Sequence, residues 1–143
     1  MIRGPVPWLE VEHTADAGFE VEAAGVESLF ETAAAALFGM MADLSRVRIE
    51  GEPVTVRAEA LDLPALLIAW LSELLSVAMS RGLVFGAFEV QQLASGWVVG
   101  RAWGEELDVE RHRFRTEIKA VTHHDLLLEQ RDGRWHGRVI VDL

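Results

Sequence analysis

Glu12-His13-Thr14-Ala15-Asp16-Ala17-Gly18 gathers an imidazole, a hydroxyl, two carboxylates and a glycine into seven consecutive positions. The residues on either side look like apolar scaffolding, so polar chemistry is concentrated here. A further carboxylate, Asp142, stands next to Leu143 at the other end of the sequence. Asp16, Asp142 and a main-chain or terminal oxygen would form a hard oxygen site, suited to Ca²⁺, Mg²⁺ or Mn²⁺ rather than zinc. Such a site requires that folding bring the two ends of the sequence together. Each half also has a plainer reading. Residues 13–18 could be a polar turn in which Asp16 takes a loop amide and Gly18 supplies a permissive backbone. Asp142 could pair with an arginine such as Arg115 or Arg138, and spacing leaves both readings open. The adjacent His123 and His124 suggest a metal site less well. Neighbours on a strand point to opposite faces, so one buried and one exposed histidine is expected.

Several chemistries are excluded. There is no cysteine, hence no disulfide framework, thiol nucleophile or cysteine-ligated zinc. Neither GxxxxGK[ST] nor GxGxxG occurs, and no GxSxG elbow marks a serine hydrolase. A formal net charge of −10 repels phosphate backbones, so stable direct binding of nucleic acid is not expected. That charge suits a basic protein partner or a divalent cation. The N-terminus carries no apolar run of signal-peptide type, and no unbroken apolar stretch approaches a membrane span. A cytoplasmic protein is expected.

The elements must therefore position the acidic residues. Trp8–His13 and Gly18–Ala23 alternate as half-buried strands. Ser28 with Glu31 predicts a capping box, opening a helix that carries Leu29, Ala33, Ala36, Leu37, Met40 and Met41 on one face and ends near 42–44. Residues 46–59 read as a strand interrupted at Gly51-Glu52-Pro53. Asp62 and Pro64 start a second helix, with Leu66, Leu67, Trp70, Leu71, Leu74, Leu75 and Met79 as its core stripe and Gly82 as its left-handed cap. Residues 84–90 and 97–103 predict a hairpin, 104–106 and 108–114 a charged connection, and 116–123 a further strand. Residues 126–129 and 135–141 predict a second hairpin around Asp132-Gly133. Strands, helix, strand, helix and more strands give an α+β fold, mainly antiparallel sheet with two packed helices. Residues 1–143 form a single domain on this reading.

Taken together these motifs resemble the archease family. The resemblance rests on His13-Thr14-Ala15-Asp16 with Gly18, on Ser28-Leu29-Phe30-Glu31-Thr32-Ala33-Ala34 and on Trp70-Leu71-Ser72-Glu73-Leu74-Leu75. Gly104-Glu105, Ile118-Lys119-Ala120-Val121-Thr122 with His124, and the closing Val141-Asp142-Leu143 follow in the same order. His123 stands where the family more often has tyrosine. The resemblance implies antiparallel sheet with two helices. It further implies an accessory factor, not an enzyme, that helps an RtcB-type RNA ligase in tRNA splicing and RNA repair by promoting guanylylation of the ligase and its multiple turnover. It implies a metal, calcium first, on Asp16, Asp142 and Leu143, and an activating role for Lys119, with His13 as a further candidate.

Two other readings are compatible with the residues alone. A small metal-dependent phosphoester hydrolase would use Asp16, His13 and Asp142 and turn over substrate unaided. A chaperone-like interaction module would bind unfolded chains without depending on Asp16.

Overall fold

The computed structural model describes residues 1–12 and 17–143. Its elements are β1 (Ile2–Arg3), β2 (Leu9–Glu12), β3 (Ala17–Ala23), α1 (Val26–Met41), a 3-10 turn (Leu44–Arg46), β4 (Val54–Glu59), α2 (Leu63–Arg81), β5 (Leu83–Ala94), β6 (Trp97–Glu106), β7 (Ala120–Val121), β8 (Leu127–Arg131) and β9 (Arg134–Asp142). One antiparallel sheet runs β1-β5-β6-β4. The other runs β2-β3-β9, and the free edge of β9 is shared by β8 and β7. The α+β expectation of antiparallel sheet with two helices therefore holds.

Helix α1 packs on β5 of the first sheet, on β3 and β9 of the second, and on α2. Every residue from Leu29 to Met41 is buried, which corrects the expectation of a single apolar face. The physical reason is the run Ala33–Ala36: side chains this small let both sheets and α2 approach one helix. Its start differs too. Gly25 is the N-cap and Ser28 is the third helical residue. The Ser28 hydroxyl accepts from Gly25 N (3.1 Å) and donates to Gly25 O (3.0 Å). Glu31 closes no capping box. It is buried, and its Oε2 accepts from Val90 N at 2.8 Å. The β5–β6 register shifts between Val90 and Gln92, so a buried carboxylate answers a strand amide at an irregular point of the ladder. Burial pushes the Glu31 carboxyl above its usual range, opposed by that amide.

Helix α1 has no basic residue in its last turn. Arg115, distant in sequence, supplies one: its Nη2 donates to Ala42 O at 3.0 Å and also to Gly39 O, while its N donates to Met41 O at 2.7 Å. A fixed cation at a helix C-terminus satisfies otherwise orphaned carbonyls and opposes the negative end of the dipole. Arg115→Ala is expected to cost about 1–2 kcal/mol of stability. Arg115→Lys should recover only part, because an ammonium lacks the planar fork. Urea denaturation of the three proteins checks this.

Helix α2 behaves as its sequence signals predict. The Asp62 carboxylate accepts from Ala65 N at 2.8 Å, Pro64 sits in the first turn and Gly82 closes the helix at φ 66°. Leu66, Leu67, Trp70, Leu71, Leu74 and Leu75 are buried, whereas Met79 is 50% exposed. By length and a mean hydropathy of 1.7, α2 alone passes for a membrane span. In the fold that apolarity is used against β4, β5 and β6.

Three expected strands change. Residues 47–53 are not strand: Val47 is buried against Gly86, and Arg48 N donates to Glu105 Oε2 at 2.9 Å instead of entering a ladder. Residues 104–106 belong to β6, with Gly104 opposite Phe85 and Glu106 opposite Leu83. Of 116–123 only Ala120 and Val121 pair, with Asp142 and Val141 where β9 ends, while β8 takes the same edge of β9 from Arg138 to Arg134. The second hairpin turns at Asp132 (φ 53°) and Gly133 (φ 76°), as an Asp-Gly pair favours.

Candidate functional site

The described part of the site is built at one end of the second sheet. Ala17 pairs with Val141 and Gly18 with Ile140, so β3 enters the sheet beside the last residues of β9. Gly18 is required by closeness: a Cβ there would lie 2.5 Å from Val139 O and 2.7 Å from Ile140 Cδ1. On the opposite edge Ala120 pairs with Asp142. Lys119 N donates to Asp142 O at 2.8 Å, while Thr122 N and Oγ1 both donate to Ile140 O, at 3.0 and 2.9 Å. The exposed side chain of Lys119 thus springs from a backbone tied to Asp142, which is itself exposed beside Leu143.

His13 and Asp16 lie outside the described residues, so the full expected ligand set is not on view. Among the described residues no group of three or more His, Asp or Glu is placed to hold a metal ion. The arginine alternative for Asp142 is not what the fold does: Arg115 serves the end of α1, and Arg138 Nε lies 2.9 Å from Glu20 Oε1. His123 and His124 are both exposed, which corrects the buried-and-exposed expectation, because the strand meant to alternate them ends at Val121. His124 N donates to Thr122 Oγ1 at 3.3 Å, and its Nε2 lies 3.6 Å from Asp125 Oδ2.

A second polar cluster was not legible as such in the sequence. Glu105 Oε2 accepts from Arg48 N (2.9 Å), Arg111 Nη1 (2.8 Å) and His112 Nε2 (2.8 Å). His112 is fully buried. Its Nδ1 accepts from Asp108 N at 3.0 Å, which assigns the ring proton to Nε2 and directs it at Glu105. With both ring nitrogens engaged, His112 has no lone pair left for base catalysis, and the cluster braces the 107–114 connection. The Arg111 guanidinium, with the Arg48 and His112 donors behind it, holds the Glu105 carboxyl down at about 2. The only signal in the sequence was a run of acids, Glu105 to Glu110, followed directly by the basic run Arg111-His112-Arg113.

The sequence model of the archease protein family matches residues 8–143. The chain belongs to the archease family. The protein archease of Methanopyrus kandleri is 47% identical over 141 residues, spanning 96% of this chain and all of its own length. That of Pyrococcus furiosus is 36% identical over 140 residues, spanning 95% and 98% of the two chains. The solution structure of protein 1598 of Methanobacterium thermoautotrophicum superposes with a TM-score of 0.78 at 37% identity, covering 95% of this chain and 98% of its own. A Thermotoga maritima crystal structure, described as an archease and possible chaperone, shares the archease fold at a TM-score of 0.62 and 20% identity, covering 100% and 98%.

Proposed function

We propose that this archease is a non-catalytic activator of an RtcB-type RNA ligase in tRNA splicing and RNA repair, promoting ligase guanylylation and repeated turnover in the cytoplasm. The observation that carries the reading is the register at one sheet end. Ala17 opposite Val141 and Ala120 opposite Asp142 gather three separated motif segments: the chain leaving Asp16, the Lys119 strand, and the closing residues. The donor chemistry fits a hard divalent cation, since Asp142 is an exposed carboxylate with neither candidate arginine upon it. Asp16, Asp142 and Leu143 would hold that ion, calcium first and magnesium or manganese next, and when bound it would supply a fixed positive charge able to neutralise phosphate oxygens.

The residues of the chain itself do the docking. A net charge of −10 draws the protein to a basic, RNA-facing surface and makes the encounter salt-sensitive. Lys119, fixed through its backbone to Asp142, offers an exposed positive point charge at the same end of the sheet. RNA is then met through the ligase and not by stable binding to this chain.

The test is RNA joining by the cognate ligase in substrate excess, with this protein below the ligase concentration. Wild type should support many turnovers; Asp16→Ala and Asp142→Ala should leave the ligase near one. Residues appended after Leu143 should weaken calcium binding, whereas the same residues before Met1 should not. Stimulation that survives both aspartate substitutions overturns the site. Phosphoester hydrolysis by the isolated protein would point to the enzyme reading instead.

A further inference from the structure

Beneath the C-terminal end of α2 lies an open cleft of 380 Å³, within the size range of ligand pockets, about 300–1,000 Å³. Met41, Leu75, Met79, Val109 and Phe114 contribute apolar surface to it, and Glu117 is the one charged residue of its lining. Two of these side chains stay in water at its mouth: Met79 is 50% exposed and Val109 60%. Exposed large apolar side chains converging on a preformed concavity mark a contact surface more often than a scattered exposed leucine does. Methionine adapts its shape to what it meets.

The Val109 side of the cleft is acidic. Glu106 and Asp108 flank Leu107 of the lining, and Asp108 and Glu110 flank Val109. Among the described residues Glu106, Glu110 and Glu117 take part in no ion pair. Asp108 is engaged by backbone amides, of Glu110 at 3.1 Å and Arg111 at 3.0 Å. Two cations of the same segments are committed: Arg111 to Glu105 at 2.8 Å, and Arg115 to the carbonyls of Gly39 and Ala42. Arg81, at the end of α2, and Arg113, beside Phe114, are exposed and stand in no such pair among the described residues. On the far side of Met79 an adjoining groove carries Ser72, Ser76, Ser80 and Lys119, so the acidic rim belongs to the Val109 side.

We propose that this cleft seats a large apolar side chain of a basic protein segment, whose flanking lysines or arginines meet Glu106, Glu110 and Glu117. The apolar anchor supplies affinity by filling a desolvated cavity, and the carboxylates select the partner's sign and speed the encounter. The assignment needs neither the metal nor the ligase, so its failure leaves the activator reading untouched.

The chain has four methionines: Met1, Met40, Met41 and Met79. Only Met41 and Met79 line the cleft. Protein labelled with ¹³C at the methionine methyls is titrated with a short amphipathic leucine–arginine peptide and, separately, with its leucine–glutamate counterpart. The basic peptide should shift Met41 and Met79 saturably, leave Met1 and Met40 in place, and bind more weakly as salt rises; the acidic peptide should shift none. Met79→Lys, at a half-exposed position, should weaken the basic peptide roughly tenfold or more as read on Met41. The double variant Glu110→Arg, Glu117→Arg should do likewise without filling the cleft. No saturable shift, equal binding of both peptides, or binding indifferent to both variants would overturn the proposal. The last result would mean adhesion to the acidic surface at large.

Discussion

Trp70→Ala is expected to lower the free energy of unfolding by about 3–5 kcal/mol, the cost of emptying a large aromatic site in a packed core. Trp70 is fully buried and reaches across the interior of the fold. Its Nε1 donates to Phe30 O of α1 at 3.1 Å, and its ring lies over Gly100 of β6, where a Cβ would come within 2.5 Å of Trp70 Cη2. One side chain therefore ties both helices to the first sheet. Trp70→Phe keeps much of the packing and loses the hydrogen bond, so about 1 kcal/mol beyond the packing difference should separate it from wild type. Gly100→Ala should be destabilising as well, and Trp70→Ala should not rescue it. The added methyl would still lie 2.5 Å from Glu89 O, a backbone atom that cannot step aside. Urea denaturation followed by far-ultraviolet circular dichroism measures all four.

Glu105→Ala should be next in size, about 2–3 kcal/mol at neutral pH, because it orphans donors from Arg48, Arg111 and the buried His112 together. Its pH dependence separates this charge effect from lost packing. The folded carboxyl titrates at about 2 against an ordinary value of 4.5, so the unfolded chain binds the proton first as pH falls. The contribution of Glu105 is then fully present above pH 4.5 and is lost as the pH drops toward 2. The stability gap between wild type and Glu105→Gln should shrink across that window. A gap that stays constant from neutral pH to about 2 would show that the carboxylate charge plays no part.

Both predictions concern residues whose importance comes from what the chain folds against them. Trp70 was legible as core because it falls on a stripe spaced at three and four residues, but the stripe says nothing of Gly100. Glu105 lay in a run of charges that reads as a solvated connection, and only the return of residues 108–112 and of Arg48 turns it into a shared acceptor. Glu31 shows the same limit: three residues after Ser28 it has the spacing of a helix cap, and the structure spends it on a strand amide from β5.

Some properties the sequence determined unaided, because their signals act within a few residues. Asp62, Pro64 and Gly82 set both ends of α2; Asp132-Gly133 set the last hairpin; ordered motifs from His13 to Leu143 identified the family. The small side chains of Ala33–Ala36 announced a close approach, though not from how many sides. Tertiary structure decided the rest, through competition and closure. On one edge of β9, β7 pairs only at Asp142 and Val141 and β8 from Arg138 to Arg134. In this register 116–118 lie beyond the end of β9, and His123 and His124 fall in the connection between β7 and β8 and do not alternate on a strand. The two ends of the sequence meet because β3 and β9 pair in one register, with Gly18 bare enough to let them. That register places Ala17, Lys119 and Asp142 together, and no local pattern could have fixed it, since a strand's alternation is equally satisfied by any partner.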